Sequence, residues 1–133
     1  MQDEPRPEEI IAAVARFLRE EVAPGTSGRL SFNARVAANA LEMTVRQIET
    51  APQAEAAELA SLRALLGQNG DLKSLNAELS ARLADGRMGL ETPGLAAHLW
   101  RVTLTKLAVD QPGYWGYRAA LADRAETQGP LAP

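Results

Sequence analysis

The 133-residue chain has no cysteine and a single histidine, and only six of its residues are aromatic. The missing cysteine excludes disulfides, thiolate nucleophiles, cysteine zinc sites and iron–sulfur ligation. It also fits a reducing compartment, so a cytoplasmic location is expected. A lone histidine, His98, has no second ligand type or adjacent nucleophile, so a metal centre or catalytic pair is not expected there. His98 should instead be a surface or half-buried helix residue. No apolar run approaches the length of a membrane span. The opening MQDEPRPEE lacks the apolar centre of a signal peptide. No stretch alternates with period two, and without strands there is no place for a glycine-rich phosphate loop between strand and helix. A net charge of −3 gives no basic footprint for nucleic acid. Neither a cofactor nor a metal is expected, and no catalytic constellation marks the chain as an enzyme.

What remains is a composition of ordinary globular character, 46% apolar and 23% charged. The pattern predicts an all-α, single-domain bundle of five to six helices spanning 1–133, with residues 1–6 and 127–133 as disordered tails. Pro7 followed by Glu8 and Glu9 opens a first amphipathic helix running to about Val22, with Ile10, Ile11, Val14, Phe17 and Leu18 on one face. Pro24, Gly25 and Gly28 end it. Ser31 is placed to cap a central helix that runs to about Thr50, and Pro52 should break or sharply bend it. A third helix follows with Leu59, Leu62 and Leu66 on its buried side. Asp71 should cap a fourth with Leu72, Leu75, Leu79 and Leu83 in one stripe, and Glu78 and Arg82 form an i,i+4 pair. Thr92 and Pro93 should start a fifth, to about Asp110, and a last helix covers about 113–125.

In the central helix, Arg35, Asn39, Glu42, Arg46 and Glu49 fall within an arc of roughly 80°. The rest of the circumference is apolar or small, which predicts contacts on several sides. The polar strip reads either as a solvated face laced by Glu42 and Arg46, or as a surface for a partner or an anion gripped by arginine. Lys106 and Asp110 interrupt the apolar face holding Leu95, Leu99 and Val102. Asp110 either caps the next helix while Lys106 reaches outward, or is the buried partner of Arg35 or Lys106. Trp100, Tyr114, Trp115 and Tyr117 gather four of the six aromatics near the C-terminus. They form either a lid, with the last helix over Trp100, or an oligomer or partner surface.

The segments PRPEEIIAAVARFLREEVAP, GRLSFNARVAANALEMTVRQIE and TLTKLAVDQPGYWGYR together resemble a small, all-helical bacterial family of unknown function. Its genes often sit beside those of aminoglycoside-phosphotransferase-like kinases and acyl-CoA dehydrogenases. Arg35, Asn39, Lys106 and Asp110 match its recurring positions, while Asn33 stands where a histidine is common, so a role needing imidazole there is in doubt. The resemblance implies an accessory protein with a kinase-like or dehydrogenase-like partner, and a homo-oligomer is a further expectation. The alternative is a small-molecule or acyl-group binding protein with a pocket between the Ser31 and Pro93 helices, toward which Arg35, Asn39 and Lys106 would converge. The candidate binding residues are Arg35, Asn39, Lys106, Asp110 and Trp115.

Overall fold

The computed structural model describes residues 4–128, with side chains through 124. The chain is all-α, and no strand occurs among the described residues. Among the described residues the main helices are α1 (Pro7–Phe17), α2 (Gly28–Leu66), α3 (Leu72–Ala84), α4 (Leu95–Asp110) and α5 (Trp115–Gln128). No helix among the described residues is long and apolar enough to cross a membrane. The helices divide into two compact units, Met1–Pro52 and Gln53–Pro133.

In the first unit Pro7 opens α1 as expected, and Glu9 closes a capping box by accepting from the Arg6 backbone N–H at 2.8 Å. Arg6 is thereby part of the helix cap and not of a loose tail; residues 1–3 and 129–133 of the expected tails lie outside the described residues. After Phe17 the helix widens into a π-helical turn, Leu18–Val22, and a last turn, Ala23–Gly25. Gly28 then takes a φ of +59°, where a side chain would be strained. Ser31 is not the cap expected of it: α2 has already begun at Gly28. Its buried hydroxyl donates to the Ala23 carbonyl at 2.7 Å, tying α2 to the end of the preceding segment.

Pro52 does not end the helix either. It lies inside α2, where it removes one hydrogen bond, to the Ile48 carbonyl. The flanking residues, Ala51, Ala54, Glu55, Ala56 and Ala57, are strong helix formers, and the helix continues through to Leu66. The division between units nonetheless falls at this residue.

The expectation that the central helix is covered on several sides is overturned. Phe32 is 65% exposed, and Val36, Met43 and Ile48 are also exposed. The buried residues of the first unit are Ala15, Ala23, Ser31, Ala34 and Ala38, all small. Ile11, Leu18, Val22, Leu41 and Val45 are half-buried around them.

The second unit has a conventional core of Leu62, Leu66, Leu75, Leu79, Met88 and Leu95, with Leu59, Leu65 and Leu72 against it. Asp71 caps α3 by accepting from the Ser74 N–H at 2.7 Å, and Gly67 ends α2 at a φ of +67°. Arg82 donates to Glu78 at 2.6 Å and also reaches the Leu66 carbonyl. The start of α4 differs from expectation. Gly94, at a φ of +85°, precedes its first residue, while the Thr92 hydroxyl accepts from Gly89 N–H within the preceding loop. Thr92 is used to close the loop, so the helix begins two residues later than the Thr-Pro pair predicts.

Candidate functional site

In the first unit the polar strip of α2 is divided between two roles. Arg19, in the π turn, donates from Nε to Glu42 Oε1 at 2.8 Å and from Nη2 to Asn39 Oδ1 at 2.6 Å. The Glu42 hydrogen bond, followed by its charge, holds the Arg19 guanidinium more firmly protonated than usual. Asn39 and Glu42 are therefore used to fasten α2 to the segment after α1, and Glu42 reaches across the helix pair to Arg19. An open groove beside this link is lined by Ala12, Ala15, Arg16, Arg19, Glu42 and Val45. Arg35 is exposed and has no ion pair among the described residues. Asn33 is exposed as well.

In the second unit Lys106 and Asp110 are both exposed. Asp110 accepts only from the Gln111 side-chain amide at 3.3 Å among the described residues. It neither caps α5 nor neutralises a buried cation, so both readings of it are corrected: the turn at Pro112 and Gly113 is closed by the Tyr114 N–H on the Gln111 carbonyl. The expected lid over Trp100 is also overturned. Trp100 is 58% exposed, Tyr114 42% and Trp115 76%, with the Tyr114 and Trp115 rings 5.6 Å apart and tilted. The turn leaves these rings at the solvent-facing start of α5. Farther along the same pair of helices, an open groove is lined by Trp100, Arg101 and Leu104 of α4 and by Ala120, Asp123 and Arg124 of α5.

His98, expected at the surface or half-buried, is buried instead. It is 2% exposed, and its Nδ1 lies 2.9 Å from the Ser61 hydroxyl. Burial pushes its pKa below the ordinary histidine value; Glu58 pulls it upward and Arg101 pushes it down further. The spacing held a clue: His98 lies one turn from the fully buried Leu95 on α4. The Ser61–His98 pair joins α2 to α4. No group of three metal-ligating side chains occurs among the described residues.

The fold and its surfaces define an all-helical protein with solvent-facing aromatics. Residues 24–114 match the family described as Domain of unknown function (DUF6285), and the chain belongs to that family. No curated protein and no solved structure matches it.

Proposed function

We propose that the chain is a non-enzymatic accessory module that docks a protein partner through Trp100, Tyr114 and Trp115. The single observation carrying this is the 76% exposure of Trp115 at the start of α5, beside the exposed Tyr114. Tyr and Trp combine apolar area with a polar tip, and they dominate the energetics of contact surfaces. The family resemblance brings forward a kinase-like or acyl-CoA dehydrogenase-like enzyme as the partner. Light scattering after co-expression with such neighbours should show a mixed complex, lost in Trp115→Ala while the helical spectrum of the variant is unchanged. A chain that stays alone in every mixture removes the reading.

The other reading, a small-molecule or acyl-group binding protein, draws support not from the expected pocket between the Ser31 and Pro93 helices but from a different place, the groove between α4 and α5. Arg101, Arg124 and the Asp123 carboxylate stand beside a wall of Trp100, Leu104 and Ala120. Such a groove suits an anionic ligand with an apolar portion. Titration with CoA thioesters, read through Trp100 fluorescence, tests it; no change at millimolar ligand would dismiss it.

A further inference from the structure

We propose that two copies of this chain pair antiparallel through the outward face of α1, about a two-fold axis passing between Ala13 and Val14. The inference goes beyond the aromatic docking surface and uses residues of the first unit alone.

The starting point is the imbalance in that unit. Its buried side chains are four alanines and a serine, whereas Ile10, Val14 and Phe17 of α1 are 41%, 45% and 57% exposed. At 100° per residue these three fall within an arc of about 60°. The opposite side of α1 carries Ala15, which is buried, and leads to Arg19, which grips Asn39 and Glu42 of α2. The stripe thus faces away from α2. Helices of this length draw their stability from packing an apolar face, and this face is unpacked in the single chain.

The charges at its two ends identify the occupant. Arg6 stands at the N-terminal end of the stripe and Glu21 at the C-terminal end, both exposed. In sequence, Arg6, the extended N-cap, and Glu21, in the π turn, are equally far from the point between Ala13 and Val14, as are Ile10 and Phe17. A two-fold axis at that point sets Ile10 of each copy against Phe17 of the other and Arg6 against Glu21, twice over. This is the self-complementarity an isologous interface requires. A parallel pairing would instead set Arg6 on Arg6 and Glu21 on Glu21. Arg6 is already engaged with Glu8 at 3.1 Å and Glu9 at 3.4 Å; its own side chain is 63% exposed, so it can reach Glu21 of a second copy by sharing or exchanging these pairs. One helix pair lies at the small end of stable interfaces, below about 1,200 Å² in total, so the dimer should dissociate on dilution.

Sedimentation equilibrium of the full chain over a wide concentration range tests this. The expected result is a reversible monomer–dimer equilibrium. Phe17→Glu should abolish it with the helical spectrum preserved, because Phe17 is 57% exposed in the single chain. Arg6→Glu or Glu21→Arg alone should weaken association about tenfold, and the two together should restore it. A wild-type chain that is monomeric at every concentration overturns the proposal. So does a dimer that survives Phe17→Glu, or one that Trp115→Ala dissolves in its place, or a charge exchange that fails to rescue.

Discussion

The Ser61 hydroxyl lies 2.9 Å from Nδ1 of His98, joining α2 to α4 at a ring almost wholly removed from water. Because burial holds the folded-state pKa of His98 below its ordinary value of 6.5, the unfolded chain takes up a proton first as pH falls. The contribution of this group to stability is therefore complete above about pH 6.5 and is lost as pH drops toward and through the folded pKa. Carboxylates held low by their own hydrogen bonds, Asp71, Glu78 and Asp85, contribute their losses only at lower pH. Urea denaturation between pH 8 and about pH 5 should show stability declining through the histidine window. In His98→Gln the decline should vanish over that range. An unchanged slope in the variant would assign the effect elsewhere.

The two units should answer differently to core substitutions. Leu62, Leu75 and Leu95 are the largest fully buried side chains, and replacing any one by Ala should cost about 2–5 kcal/mol. In the first unit the vulnerable change runs the other way. Ala38 is completely buried, so Ala38→Leu forces a larger group into a close helix contact and should cost about 1–3 kcal/mol. Denaturation midpoints of the two variants, compared with Ala38→Gly, measure the contrast. A stabilising Ala38→Leu would mean that the alanine contact has slack.

The link from Arg19 to Asn39 and Glu42 is geometrically good but energetically modest. Both charged side chains are about two-fifths exposed, so a double-mutant cycle on Arg19→Ala and Glu42→Ala should give a coupling of only about 0.2–1 kcal/mol, smaller at high salt. A coupling well above that range would indicate that the pair is shielded from solvent in the assembled protein.

Local pattern made much of the fold readable. Pro7 with its acidic neighbours, the Asp71 cap, the Leu59, Leu62 and Leu66 side and the Glu78–Arg82 pair all depend on residues within a turn or two of one another. The candidate sites depend on something else. Arg19 meets Glu42 and Asn39 across 23 and 20 residues, and Ser61 meets His98 across 37. Helical periodicity says which side chains share a face, not what lies opposite that face. The same limit explains the misjudged central helix: its apolar arc is real, but Phe32 and Val36 have no covering element. Pro52 failed as a boundary because its cost is local, while the helix formers on both sides supply the neighbouring hydrogen bonds.

Lys106 and Asp110 now present the sharper test of function, because the fold makes no visible demand on them. Both are exposed, Lys106 has no ion pair among the described residues, and Asp110 has only the 3.3 Å contact from Gln111. Exposed substitutions away from caps, cores and networks change stability by less than about 0.5 kcal/mol, and Asp110→Ala and Lys106→Ala should each fall within that limit. The unperturbed fold makes any further effect interpretable. If the α4 surface takes part in partner docking, the same two variants should weaken the mixed complex sought with Trp115, chiefly through faster dissociation. Chemical denaturation and surface-immobilised binding kinetics on the same preparations separate the two outcomes. Full stability with unaltered kinetics would confine the docking surface to the aromatic side chains, whereas a loss of several kcal/mol would restore Asp110 to a structural role.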